Sequence, residues 1–108
     1  MIKEILKKIE TTKVYDIAKK TSISFLKNQS KITNNDIYLK REDEQDVFSF
    51  KIRGAYTKIA SLSDKEKSKG IIAASAGNHA QGVAFSAMKL EIKATIVMPA
   101  TTPQIKVN

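Results

Sequence analysis

The stretch from Ile71 to Met98 constrains the fold more than any other part of this chain. Ile71-Ile72-Ala73-Ala74 is a short apolar run, Ser75-Ala76-Gly77-Asn78 is turn-forming, a helical pattern runs from about His79 to Leu90, and Ala94-Thr95-Ile96-Val97-Met98 is apolar again. Short apolar runs bounded by turn residues read as buried strands, and a helix between two of them with short connections makes a βαβ unit. The helical spacing places Val83, Ala84, Ala87 and Met88 on its buried face. Pro99 stops the second strand, and Thr102 followed by Pro103 starts another helix. Parallel sheets are normally covered on both faces. The strands are too few to build one, so the 108 residues are expected to belong to a larger α/β domain.

Upstream the pattern is mixed. Ile2, Ile5, Leu6 and Ile9 recur at helical spacing, and Val14, Ile17 and Ala18 continue as a further turn or two. Thr21 to Phe25 reads as a strand, Lys27 to Asp36 as a polar loop, and Ile37-Tyr38-Leu39 as a second strand. Glu42, Asp43, Glu44 and Asp46 lack the alternation and glycine of a calcium loop and read as a solvated turn. Ser49 is expected to cap a helix over about Phe50 to Leu62 that buries Ile52, Ala55, Tyr56 and Ile59. Ser63 with Asp64 and Glu66 signals another helix start, and Gly70 its end.

Composition narrows the function classes. The net charge of +8 invites a nucleic-acid reading, but the lysines are scattered and no aromatics alternate with them. There is no cysteine, which removes disulfides and thiolate metal sites and fits a reducing cytoplasm. A single histidine, His79, leaves no partner for a zinc site. No apolar run reaches the length of a membrane span.

Two segments carry chemistry. In Ser49-Phe50-Lys51-Ile52-Arg53-Gly54-Ala55, a lysine opens a helix. The positive end of a helix dipole favours a neutral amine, which can attack an aldehyde. Phe50 could lie against a flat ring, and Gly54 could admit another backbone. The solvated lysine of an ordinary helix start is the plainer alternative. The two arginines, Arg41 and Arg53, lie close to Lys51, and in a lysine-rich chain an arginine suggests a place where a planar, bidentate donor is needed. The second segment, Ser75 to Gly82, follows a strand and opens a helix, so its N–H groups suit a carboxylate or phosphate. An ordinary tight turn capped by Asn78 is the alternative there.

Taken together, Tyr38-Leu39-Lys40-Arg41-Glu42-Asp43, Val47-Phe48-Ser49-Phe50-Lys51-Ile52-Arg53-Gly54-Ala55-Tyr56 and Ala74-Ser75-Ala76-Gly77-Asn78-His79-Ala80-Gln81-Gly82-Val83-Ala84 resemble the fold-type II pyridoxal-phosphate enzymes. Among those they are most similar to the threonine dehydratases of the biosynthetic type. The likeness runs from the first helix to Ile96-Val97-Met98-Pro99 and Ile105-Lys106-Val107-Asn108. It implies an α/β fold of the tryptophan synthase β kind. Residues 1–108 would be the N-terminal part of the catalytic domain, with helices and first strands in 1–48 and the lysine helix and βαβ unit in 49–108.

The resemblance also implies roles. Lys51 would hold pyridoxal 5'-phosphate covalently and act as base at the substrate Cα, with Phe50 flanking the ring. Asn78 would hydrogen-bond the ring's phenolic oxygen, and Ser75, Gly77, Asn78 and His79 would cradle the substrate carboxylate. The implied reaction takes threonine to 2-oxobutanoate and ammonia, a lyase step of isoleucine biosynthesis, in a cytoplasmic homo-oligomer. The chain departs from the family at Ser22, where a proline is usual after Thr21, and at Glu44 and Asp46, where an apolar residue and a proline are usual. The family's glycine-rich phosphate loop is expected beyond Asn108, so these residues alone are expected to be inactive. A serine dehydratase or racemase, and a non-catalytic remnant or split half that docks to a partner chain, are the competing readings.

Overall fold

Ile2–Glu10 forms the first helix, α1, as the apolar spacing predicts, in a computed structural model that describes residues 1–107. Its stripe is not part of the core: Ile2, Ile5, Leu6 and Ile9 are 51–70% exposed. A 3₁₀ turn at Val14–Asp16 follows and buries Val14. Ile23–Phe25 (β1) pairs antiparallel with Tyr38–Lys40 (β2), matching Ile23 to Lys40 and Phe25 to Tyr38, whose ring centroids lie 5.3 Å apart.

Between these strands the expected loop at Lys27 to Asp36 is instead largely a helix, Lys27–Thr33 (α2). Its polar residues are built into the helix and its exit. The Ser30 hydroxyl accepts the Ile37 N–H at 2.9 Å, and Asn34 ends the helix in the left-handed region at φ 51°.

The second half holds the core. Lys51–Ala60 (α3) buries Ile52, Ala55, Tyr56 and Ile59 as expected. Asp64–Lys67 (α4) starts with a reciprocal cap between Ser63 and Glu66. Ile71–Ala74 (β3) and Ala94–Val97 (β4) pair in parallel, Ile71 beside Ala94 and Ala74 beside Val97, with Asn78–Lys89 (α5) crossing between them. Gln104–Val107 (α6) follows.

The helix α5 packs on α3 and on both strands, so its buried arc is wide and built from small residues: Ala80, Gly82, Val83, Ser86 and Ala87. Val83 and Ala87 are buried as expected; Ala84 and Met88 are not, and Met88 is 66% exposed. They lie on the side of α5 turned away from α3. One apolar cluster joins Val14, Ala18, Val47 and Ile52; the other joins Ala55, Ile59 and Val83 with Ile71, Ala73 and Ile96 of the sheet. Helix α3 belongs to both, so the packing of both halves fixes its position.

Only one face of the parallel pair is covered. Ile71 and Ala73 turn toward the helices, whereas Ile72 is 73% exposed and Val97 52%. The chain is flat, 51 × 42 × 22 Å, and its radius of gyration of 16.8 Å exceeds the roughly 13 Å of a compact chain of this length. Among the described residues no helix is long and apolar enough to cross a membrane.

Gly70 turns the chain from α4 into β3 at φ 77°, and a Cβ there would stand 2.9 Å from the Lys93 carbonyl oxygen. Gly70→Ala is therefore expected to cost about 1–3 kcal/mol. A lowered urea midpoint with an unchanged slope would show it.

Candidate functional site

Lys51 is the first residue of α3, and the turn before it differs from expectation. Ser49 does not cap the helix. Phe48 adopts a left-handed φ of 54°, and its N–H donates to the Gln45 carbonyl at 2.8 Å. In this turn the Ser49 side chain is buried, and its Oγ has no hydrogen-bond partner among the described residues. Phe50 takes the capping position and is 60% exposed, with its ring centroid 5.4 Å from Lys51 Nζ. No carboxylate among the described residues pairs with Lys51. Phe50, Lys51 and His79 share the wall of an open, largely apolar cavity of about 420 Å³ between α3, β3 and α5.

The acidic segment before this turn is not simply solvated. Glu42 accepts paired hydrogen bonds from Arg53, Nε at 2.8 Å and Nη2 at 2.9 Å, with the carboxylate side chain only 15% exposed. Thr21 and Gln45 also donate to it. The Arg53 hydrogen bond above all, helped by those of Thr21 and Gln45, holds the Glu42 carboxyl at about 2 despite the opposing effect of burial. Arg41 makes the same fork to Asp43, at 2.9 and 2.7 Å. Both arginines therefore serve as paired donors, as expected of them, but to carboxylates of this chain. Gln45, 1% exposed, accepts the Lys19 N–H and donates to the Lys19 carbonyl, tying the segment to the turn before β1.

The departures from the family pattern are partnered. Ser22 donates to Glu44 from its backbone N–H at 2.9 Å and its hydroxyl at 2.6 Å, while Asp46 pairs with Lys19. A proline at position 22 has no N–H to make the first of these bonds. Serine at one site and glutamate at the other thus fit each other.

The second segment forms the turn at the head of α5, beyond the carboxyl end of β3, where α/β folds hold ligands. Ser75 organises it: its Oγ accepts the Gly77 N–H at 3.2 Å and the Ala80 N–H at 3.3 Å. The cap by Asn78 that the alternative reading called for is not formed; Gly77 holds the capping position and Asn78 is the first helical residue. The Asn78 side-chain carbonyl instead accepts from Lys106 Nζ of α6 at 3.0 Å. The backbone N–H groups of Asn78 and His79 have no acceptor among the described residues. Of this turn only His79 reaches the cavity wall; Ser75, Gly77 and Asn78 do not line it.

Close approach joins the two segments, at a different glycine from the one expected. A Cβ on Gly54 would meet nothing within 4 Å, whereas one on Gly82 would meet the Lys51 carbonyl carbon at 3.0 Å, its oxygen at 3.1 Å and the Ile52 nitrogen at 3.2 Å. Helix α5 thus lies directly against the backbone of the lysine. A glycine inside a helix costs about 1 kcal/mol relative to alanine, which is the sequence signal for such a contact.

Residues 14–108 match the family described as Pyridoxal-phosphate dependent enzyme. The chain belongs to that family. It is 55% identical over 105 residues to the L-threonine dehydratase biosynthetic IlvA of Burkholderia multivorans, covering 97% of itself and 21% of that relative. It is 55% identical over 103 residues to the biosynthetic, chloroplastic threonine dehydratase of Arabidopsis thaliana, covering 95% of itself and 17% of that protein. Its fold matches the processed form of threonine deaminase isoform 2 from Solanum lycopersicum with a TM-score of 0.88 at 49% identity, over 96% of this chain and 29% of that one. Maize serine racemase matches with a TM-score of 0.86 at 32% identity, over 98% and 32%. The chain spans about a fifth of the length of the curated relatives it matches. The likeness confirms the α/β fold of the fold-type II enzymes.

The residues present fit part of the cofactor. An amine with no counter-ion among the described residues, beside an exposed aromatic ring, suits an aldehyde on a flat heterocycle, and N–H groups at a helix head with no acceptor among those residues suit an anion.

Proposed function

We propose that these residues form the lysine-bearing part of the active site of a threonine dehydratase, which converts L-threonine to 2-oxobutanoate and ammonia. The observation that carries it is the placement of Lys51: an amine that pairs with no carboxylate among the described residues, beside Phe50, at a cavity that also reaches His79. The relatives named as threonine dehydratases supply the substrate class.

In this reading Phe50 covers one face of the flat ring and Lys51 holds the cofactor through its amine. The N–H groups of Asn78 and His79, with Ser75 and Gly77 shaping the turn, hold the substrate carboxylate at the head of α5. The Asn78 side-chain amide donates to the phenolic oxygen. Lys51 Nζ, once the substrate's amine has taken its place on the cofactor, would be free to take the proton from the substrate Cα. When bound, pyridoxal phosphate supplies an electron sink for the charge left at Cα.

Residues 1–48 and 49–108 belong in this proposal to one catalytic domain whose phosphate-binding loop lies outside them. Assembly as a homo-oligomer and a cytoplasmic location are part of the same proposal. The bare apolar stripe of α1 supports the first, while relatives named chloroplastic and mitochondrial make cell fractionation the test of the second.

The test is borohydride reduction with pyridoxal phosphate followed by peptide mapping. Label is expected to concentrate at Lys51 over the other lysines and to vanish from that peptide in Lys51→Arg. Label spread evenly over the lysines of the full chain would refute the assignment. Serine turnover is the second reading, favoured by the match to serine racemases. Threonine is expected to be preferred by roughly 10–200-fold, the worth of one methyl group in a fitted pocket.

A further inference from the structure

We infer that Lys106 is a positioning residue for Asn78: its ammonium fixes the side-chain amide so that the NH₂ end is left to donate to a ligand at the head of α5. Lys106 Nζ donates to Asn78 Oδ1 at 3.0 Å and to Gln81 Oε1 at 3.2 Å. An ammonium has donors only, so the amide atom facing it must be the carbonyl oxygen, and the choice between the two ends of each amide is settled by chemistry. Asn78 Nδ2 makes no hydrogen bond to another described residue.

The contact is long-range and built into the chain. The turn leading into α6 is held by the Thr102 N–H and hydroxyl on the Pro99 carbonyl, at 3.0 and 2.6 Å, and by the Lys106 N–H on the Pro103 carbonyl at 2.8 Å. It returns a half-buried lysine to the first turn of α5. The terminal torsion of asparagine is broad, so without a cation the amide samples both orientations. A cation on its carbonyl also polarises the amide and strengthens its N–H donors. The ligand end of this inference rests on the proposed contact between Asn78 and the cofactor's phenolic oxygen; the amide orientation does not.

The test compares Lys106→Met and Lys106→Arg in the full chain. In Lys106→Met the side-chain amide signals of Asn78 and Gln81 are expected to shift in nitrogen-edited spectra, while the backbone amides of α5 and the thermal midpoint hold. Affinity for pyridoxal phosphate is expected to fall about fivefold, and the visible band of the bound cofactor to move. Lys106→Arg is expected to restore the amide signals, the affinity and the band. Unmoved Asn78 amide signals in Lys106→Met overturn the inference, as do unchanged affinity and band when trapping at Lys51 proceeds normally. Loss of trapping at Lys51 in the unsubstituted chain would instead strike the proposed cofactor site, and the amide signals would still decide the role of Lys106.

Discussion

Gly82→Ala is expected to destabilise the chain by about 1–2 kcal/mol and to displace the lysine segment, whereas Gly54→Ala is expected to stabilise it by about 0.5–1 kcal/mol. Both glycines are interior to helices, so intrinsic propensity favours alanine at each. Packing separates them. The added methyl at position 82 would lie 3.0–3.2 Å from backbone atoms of Lys51 and Ile52, which have no rotamer by which to move aside. Ile52 is fully buried and pinned in the cluster with Val14, Ala18 and Val47, so α3 meets resistance on its far side as well. At position 54 the methyl enters open space. Urea unfolding of the two variants measures the difference, and borohydride labelling reports whether Lys51 has moved. Equal midpoints for both would show that the two helices are not held in contact through Gly82.

Glu42→Gln is expected to lower stability at neutral pH by about 2–3 kcal/mol and to remove much of the acid sensitivity between pH 4.5 and 2. The native carboxyl, held at about 2 by Arg53, lies below its ordinary value, so the folded state binds this proton less readily than the unfolded state. Its contribution is therefore complete above about pH 4.5 and is lost as the pH falls toward 2. A drop from 4.5 to about 2 corresponds to about 3 kcal/mol, an upper figure because part of the pair meets water. Arg53 would keep an amide oxygen as partner in the variant but lose the charge. Asp43, Glu44 and Glu66 also lie below the usual carboxylate range, through Arg41, Ser22 and Ser63 respectively, but these groups are exposed and their acid response should survive the substitution. Parallel pH–stability curves for the native chain and Glu42→Gln would contradict the assignment.

The elements that could be read from sequence are those whose signal is local. The apolar runs of β3 and β4 lie on either side of a helix whose caps and turns are within a few residues, and each formed where its own pattern put it. The buried face of α3 followed from spacing alone, and the Ser63–Glu66 cap from two residues. The helix α2 is not legible because Asn28 and Ser30 are poor signals for a helix, and the Ser30 hydroxyl takes its partner, the Ile37 N–H, beyond the helix exit. Ala84 and Met88 were misplaced because apolar character does not say which side of a helix a neighbour will occupy.

At the site the division is the same. Lys51, Phe50 and the Ser75–His79 turn could be picked out from residue type and order, because an amine at a helix start and N–H groups at a strand–helix turn are chemistry written in consecutive residues. Sequence by itself determined which groups are available and that a βαβ unit presents the Ser75–His79 turn at one end of a parallel pair. Tertiary structure alone decided which glycine admits the second helix, that Glu42 is a mostly buried anchor for Arg53, and that Lys106 donates to the Asn78 side-chain carbonyl. Those outcomes depend on distances between atoms 11 to 31 positions apart along the chain. Such distances are set by how two helices and a strand pair pack, and no residue's neighbours in sequence carry that information.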